Sequence, residues 1–200
     1  MIKAVIFDFG NVICRFDNKI IFEKVSVHTG KSVSELETIV YGAPDLILGY
    51  ERGTISSDEF YGGLKTMFGL QMSKAEFIRV YTDKFTPIAE TFDLIRKLKG
   101  RYKLGLLSNT SEWDFEYGIR TVAVFPLFDS ITVSFQVHAL KPDKNIYLDA
   151  LTKLDVHPHE CVYIDDIEGF AEAARELGIH AVHYRSPEQL EESLKETLLS

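Results

Sequence analysis

Four short segments, far apart in the chain but in a fixed order, each place a residue suited to phosphate just past an apolar run. They are Val5-Ile6-Phe7-Asp8-Phe9-Gly10-Asn11, Leu106-Leu107-Ser108-Asn109-Thr110, Lys141-Pro142 and Val162-Tyr163-Ile164-Asp165-Asp166. Singly, such an Asp, Ser or Lys is an ordinary cap or a solvated end. Together they supply a carboxylate, a hydroxyl with backbone amides, a cation and a carboxylate pair. That is the inventory for Mg2+-assisted transfer of a phosphoryl group onto an aspartate. Asp8 reads as the nucleophile, followed by a Gly that lets backbone approach closely. Asp165 and Asp166 would hold Mg2+ with Asp8, because the ion takes hard oxygen ligands and two carboxylates after a buried strand need a compensating cation or donors. Either can be the direct ligand, with Asp166 preferred. The Ser108 hydroxyl and the amides of Asn109 and Thr110, expected to open the next helix, suit an anion. Lys141 adds a fixed positive charge beside the nucleophile. Asp8-Phe9-Gly10 also occurs in protein kinases, but no Gly-rich nucleotide loop or His-Arg-Asp segment accompanies it.

These residues need a scaffold that gathers strand ends. Five short apolar runs, at residues 3–7, 103–107, 130–134, 161–164 and 179–183, read as buried parallel strands. Helical patterns fall between the later ones. Thr86-Pro87 is read as an N-cap with Pro at the first helical position, opening a helix that closes at Gly100. Residues 169–177 form another, capped by Gly178, and Ser186-Pro187-Glu188-Gln189 is a capping box for the last. This alternation predicts an α/β fold, a doubly wound parallel sheet with right-handed crossovers. Residues just past the strands then converge on one crevice, which is where Asp8, Ser108 and Asp165 lie. From Phe16 to Phe85 the alternation stops. Three capping boxes, Ser32 to Glu35, Ser56 to Glu59 and Ser73 to Glu76, predict a helical insertion after the first strand.

Two hundred residues with 46% hydrophobic content can bury a full core. A net charge of −8 without a Lys/Arg block argues against a nucleic-acid partner. No apolar run approaches membrane-spanning length, and no leader-like segment precedes the first strand. Cys14 and Cys161 are too few for a disulfide framework, so a reducing, cytoplasmic setting is expected. The oligomeric state expected is a monomer or weak homodimer.

The order Asp8, Ser108-Asn109, Lys141-Pro142, Asp165-Asp166 resembles the four motifs of the haloacid dehalogenase (HAD) superfamily over nearly the whole chain. Residues 7–13, Ser108-Asn109-Thr110 and Tyr50-Glu51-Arg52-Gly53-Thr54-Ile55-Ser56 further resemble its bacterial alpha-D-glucose-1-phosphatase branch. The resemblance implies a Rossmann-like core of residues 1–15 and 86–200, a helical C1-type cap of residues 16–85, Mg2+, and phosphatase activity on a small phosphorylated metabolite such as a sugar phosphate. Asp8 is then the nucleophile, Gly10 lends a carbonyl to the metal, and Ser108, Asn109 and Lys141 hold the phosphate.

One position departs from the pattern. Most phosphatases of the superfamily carry a second Asp two residues after the nucleophile as general acid and base, and here it is Gly10. Such assistance is worth about 100- to 10,000-fold, or roughly 3 to 5 kcal/mol of barrier. Either the leaving group scarcely needs a proton, as with an anomeric, acyl or aryl phosphate, or another group such as Glu51 or Asp17 supplies it. The missing Asp also admits a catalytically weakened binding module or a metal-free 2-haloacid dehalogenase, although the latter would gain nothing from keeping Asp165 and Asp166. Trp113, Asp114 and Tyr117 follow the Ser108 motif and border the site, with Asp114 standing where the nearest branch carries His. His157, His159, His180 and His183 read as packed or solvated side chains. Phe22, Tyr41, Tyr50, Phe60 and Tyr61 are expected mainly to pack the insertion.

Overall fold

The computed structural model describes residues 1–199. Its elements are β1 (Ala4–Phe7), β2 (Cys14–Phe16), α1 (Lys19–Thr29), α2 (Val33–Tyr41), α3 (Pro44–Glu51), α4 (Ser57–Phe68), α5 (Lys74–Thr82), β3 (Phe85–Pro87), α6 (Ala89–Leu98), β4 (Lys103–Ser108), α7 (Glu112–Tyr117), β5 (Ser130–Val133), α8 (Ser134–Val137), α9 (Lys144–Leu154), β6 (Cys161–Asp165), α10 (Glu168–Glu176), β7 (His180–His183) and α11 (Pro187–Leu199).

Five strands form one parallel sheet in the order β5-β4-β1-β6-β7, with the β1 strand at its centre. Every residue of β1 and β6 is buried, as expected where helices cover both faces of a parallel sheet. Alternate residues separate the two faces. Val5, Phe7, Leu104 and Leu106 pack with Phe92, Ile95 and Leu98 of α6 and with Leu190 and Leu194 of α11. Ala4, Ile6, Leu107 and Tyr163 pack with Ile146, Tyr147 and Leu151 of α9. The fold is the expected Rossmann-like α/β sheet.

Helices α1 to α5 occupy the stretch that breaks the alternation. All three expected capping boxes are formed, at Ser32, Ser56 and Ser73, each with the Glu three residues on. These helices build a separate apolar cluster around Phe22, Tyr50, Phe60 and Phe77, joined by Trp113 from α7. Tyr50 stacks on Phe60 at 4.1 Å. Tyr41, by contrast, is exposed. No described helix is long and apolar enough to cross a membrane.

The chain enters and leaves the insertion through an antiparallel ribbon, with Cys14, Arg15 and Phe16 paired to Pro87, Thr86 and Phe85. This corrects the expected helix start at Pro87. Pairing with β2 takes Phe85–Pro87 into a strand, the Ile88 amide donates to the Ile13 carbonyl (3.0 Å), and α6 begins only at Ala89. Smaller shifts occur elsewhere: β6 runs one residue further, through Asp165, and α10 begins one residue earlier, at Glu168.

Candidate active site

The carboxyl ends of β1, β4 and β6 bring the singled-out residues to one edge of the sheet. The Asp8 amide donates to the Ile164 carbonyl (2.9 Å), which carries the β1–β6 pairing up to the nucleophile position. Lys141, from the loop before α9, places its ammonium between two carboxylates, 2.9 Å from Asp8 Oδ1 and 2.7 Å from Asp165 Oδ2. All three side chains are buried. Asp166 lies at the same edge, and oxygens of Asp8, Asp165 and Asp166 all fall within 4.8 Å of one another, the one such metal-competent cluster among the described residues.

The two carboxylates of the pair are used differently. Asp165 is saturated: Oδ2 accepts from Lys141 and from the Tyr163 hydroxyl, and Oδ1 accepts from the Ile167 amide (2.8 Å). Asp166 is half-buried and receives a single side-chain hydrogen bond, from Asn11 Nδ2 to Oδ2 (3.0 Å). Asn11 reaches it from a left-handed backbone conformation (φ 54°), which Asn tolerates better than most side chains. Asp166 therefore keeps oxygen lone pairs for a cation, whereas Asp165 orients Lys141. No described donor reaches the Gly10 carbonyl or Asp8 Oδ2. A hard divalent cation fits this donor set of free carboxylate and carbonyl oxygens.

Electrostatics point the same way. Burial drives the Asp8 carboxyl up to about 7; Lys141 opposes this, while Asp165 and Asp166 add to it. Burial pulls the Lys141 ammonium down, but Asp8 and Asp165 outweigh it and hold it above the ordinary lysine range. Tyr163 is raised well above the usual phenol range by burial and then by Asp8 and Asp165, so it stays a neutral donor.

The phosphate loop differs from its sequence reading. Ser108 ends β4 and is buried, but α7 begins only at Glu112, with Ser111 as its N-cap. Asn109 and Thr110 thus precede the helix rather than open it. The Thr110 amide is spent on Ser134 Oγ (2.9 Å). The Asn109 side chain clamps the Lys141 backbone, Oδ1 accepting from the Lys141 amide (2.7 Å) and Nδ2 donating to its carbonyl (3.2 Å). Its visible role is to position Lys141, and an anion is left with the Ser108 hydroxyl and the Asn109 amide.

At the departing position, a Cβ on Gly10 would stand 3.0 Å from Cε1 of Phe16 and 3.9 Å from Asp8 Oδ2. A side chain at this position would press on the part-exposed Phe16 ring, which would have to shift by a few tenths of an ångström. Asp17 is exposed and its carboxylate accepts the Lys19 amide (2.8 Å), so it caps α1 and takes no part here. Glu51 is placed differently. It lines a cavity of ≈ 150 Å³ that begins at Gly10, Ser108 and Asn109 and runs into the insertion.

The turn carrying Glu51 is pinned to the core. Ser134 Oγ donates to the Glu51 carbonyl (2.6 Å), and His138 Nδ1 lies 3.1 Å from the Arg52 carbonyl. Gly53 (φ +72°) packs so closely that a Cβ there would stand 2.1 Å from the Phe135 carbonyl oxygen, so only glycine permits this contact. The Glu51 carboxyl has no hydrogen-bond partner among the described residues, and burial, then Asp114, raise its pKa against the pull of Lys84.

Lys84 and Asp114 form a second buried ion pair lining the same cavity, 2.9 Å apart. Sequence reading flagged Asp114 only as a neighbour of the Ser108 motif and missed Lys84, which carries no motif. Trp113 packs into the insertion, and Tyr117 is exposed. Among the described residues the histidines form no metal cluster: His157 and His159 stack on each other at 5.7 Å, and His183 bridges Glu168 and the Asp166 carbonyl.

The haloacid dehalogenase-like hydrolase family model matches residues 5–184. A D-ribitol-5-phosphate phosphatase of Bacteroides thetaiotaomicron is 25% identical over 185 residues, 89% of this chain and 89% of its own length. The drimenol cyclase drtB of Aspergillus calidoustus is also 25% identical, over 97% of this chain, but the chain spans only 36% of that longer protein. Among solved structures, a HAD family enzyme of Bacteroides thetaiotaomicron in complex with magnesium and inorganic phosphate superposes with a TM-score of 0.81 at 22% identity, covering 92% of this chain and 95% of that one.

Proposed function

Because the chain belongs to the haloacid dehalogenase-like hydrolases, we propose that it is a Mg2+-dependent phosphatase of a small sugar or polyol phosphate, working through an aspartyl-phosphate. The observation that carries this reading is Asp8: one carboxylate oxygen is held by Lys141, the other is free, and two further carboxylates stand within 4.8 Å. A D-ribitol-5-phosphate phosphatase aligned over 89% of both chains supports the reaction class and a polyol phosphate as substrate.

Asp8 Oδ2 attacks phosphorus in line as the bond to the leaving oxygen breaks. Lys141 and the Ser108 hydroxyl with the Asn109 amide stabilise the phosphoryl oxygens. Mg2+, held by Asp8, Asp166 and the Gly10 carbonyl, would supply the positive charge that lets Asp8 stay ionised beside its neighbours. Glu51 takes over from the absent second Asp, protonating the leaving oxygen and then accepting a proton from the water that cleaves the aspartyl-phosphate. Residues 16–85 act as the cap that closes this chamber against bulk water.

A 2-haloacid would have to bring a carboxylate to a site already holding three, which disfavours the dehalogenase alternative. The test is hydrolysis of p-nitrophenyl phosphate with Mg2+ and with EDTA, beside Asp8→Asn. Turnover that needs both the metal and Asp8 is expected, with Asp8→Asn lowering it by roughly 10,000-fold. Folded wild-type protein with no turnover would overturn the reading in favour of a binding module.

A further inference from the structure

Lys84 and Asp114 are the anomaly the proposed reaction leaves unused. Lys84 comes from the segment leaving the insertion and Asp114 from α7, so the pair joins the two sides of the cavity. Both are more than nine-tenths buried, with 7% and 8% of their surface exposed. Asp114 Oδ2 accepts from Lys84 Nζ, yet Asp114 Oδ1 has no hydrogen-bond partner among the described residues. The Ser111 hydroxyl lies close enough to favour the charged Asp114 carboxylate, but no donor among the described residues meets Oδ1 in hydrogen-bonding geometry. Lys84 is likewise underused. Among the described residues its only oxygen partner is Asp114, and the rings of Tyr81 at 4.3 Å and Phe85 at 5.4 Å lie on its other side. A buried acceptor without a donor is destabilising and calls for an explanation.

The pair offers one acceptor and spare N–H donors side by side. That is the complement of a hydroxyl, which donates and accepts at once. An ammonium on the ligand would satisfy Oδ1 too, but it would sit against the ammonium of Lys84 on the same carboxylate. Much of the rest of the wall is apolar, with Phe22, Phe60 and Phe77 among its lining side chains. A mostly apolar chamber with a few convergent polar groups is how small-molecule sites obtain orientation and specificity.

We infer that Lys84 and Asp114 determine specificity, reading a hydroxyl on the leaving-group end of a polyhydroxylated phosphate ester whose phosphate sits at Asp8. This rests on the phosphatase reading above and assigns the far end of its substrate. The hydroxyl donates to Asp114 Oδ1 and accepts from Lys84, while the carbon chain lies against the phenylalanine wall.

The experiment compares kcat/KM for D-ribitol 5-phosphate, n-pentyl phosphate and 5-aminopentyl phosphate, with p-nitrophenyl phosphate as a fourth substrate. The proteins are wild type, Asp114→Leu, and the double variant Lys84→Met with Asp114→Leu. Each preference is a ratio of two substrates on one sample, so loss of folded protein cancels. Wild type should prefer the ribitol ester over the pentyl ester by about 100-fold, and in the double variant that preference should fall below about tenfold. A wild-type enzyme indifferent to the hydroxyls, a preference that survives the double replacement, or a preference for the aminopentyl ester would each overturn the assignment. Hydrolysis without discrimination brings down this inference alone. Absence of hydrolysis of all four esters brings down the phosphatase reading with it.

Discussion

Two buried lysines, one beside Asp8 and one lining the cavity, are treated in opposite ways. Lys141 sits between Asp8 and Asp165, and Asp165 spends both oxygens on donors within the protein. Lys84 has one carboxylate partner among the described residues, and one oxygen of that carboxylate meets no donor there in hydrogen-bonding geometry. The first arrangement is complete before any ligand arrives, as preorganised stabilisation of charge requires. The second is incomplete without one. On the proposed reading, the contrast separates the end of the site assigned to the phosphoryl group from the end assigned to telling one ester from another.

The largest expected effect tests whether the first lysine is as central as its geometry says. Lys141→Met leaves two buried carboxylates without their cation and should lower unfolding stability by about 3 to 5 kcal/mol in denaturant titrations without metal. Lys84→Met removes one partner from one carboxylate, and its penalty should be smaller. Equal penalties would erase the distinction between the two pairs.

The next effect concerns the proton. Glu51→Gln should reduce turnover of an alkyl phosphate by about 100-fold, within the range of general acid–base assistance, and reduce p-nitrophenyl phosphate turnover at least about tenfold less, since that leaving group is a weak base. Parallel losses on both substrates would assign Glu51 to binding rather than proton transfer. Gly10→Asp should rescue the variant only if the Phe16 ring, 3.0 Å from the new Cβ, gives way.

The same contrast explains what was legible in the sequence. Asp8, Ser108 and Asp166 hold places set by the strand ends of a parallel sheet, so an apolar run followed by a polar residue was enough to locate them, and Lys141 was marked by the proline that follows it at the mouth of α9. The division of labour between Asp165 and Asp166 was not legible, because it depends on Tyr163 and Asn11 arriving from the side. The Thr110 amide was misread because Ser134, 24 residues away, competes for it. The helix expected at Pro87 failed for a similar reason: its local signal was sound, but pairing with Cys14–Phe16 prevailed. Lys84 belongs to no periodic pattern, and its meaning exists only once the insertion folds back over α7. Glu51 stood inside a recognisable motif. What that motif does, docking a glycine turn on Phe135 and aiming a carboxyl into the cavity, is a tertiary fact.

The charge balance at Asp8 gives a smaller effect with a definite sign. Its carboxyl is pushed up to about 7 in the folded protein from an ordinary value near 3.8. Between those limits the folded state binds more protons than the unfolded one. Metal-free stability should therefore fall as pH rises from about 4 through about 7. Asp8→Asn should flatten that part of the slope, and Mg2+ at neutral pH should reverse the loss, because the cation favours the ionised carboxylate. Thermal melts of both proteins at pH 5 and pH 8, with EDTA and with Mg2+, measure this. A wild-type slope no steeper than that of Asp8→Asn would mean that Lys141 already neutralises the site and that the cation is not needed to hold Asp8 ionised.

The smallest expected effect is the sharpest test of why Lys84 and Asp114 are there. Asp114→Leu alone strands a buried ammonium and should cost about 3 kcal/mol or more. Lys84→Met with Asp114→Leu replaces the pair by apolar side chains in a wall already built from Phe60, Phe77 and Phe85. It also removes the orphan oxygen, so stability should change by less than about 1 kcal/mol and could rise. A pair retained for stability would make the double replacement as damaging as the single one. A double variant that folds as well as wild type, yet no longer favours a hydroxylated ester, would place the purpose of the pair in recognition. An unpaired carboxylate oxygen raises the free energy of the empty protein, and a ligand hydroxyl is what lowers it again.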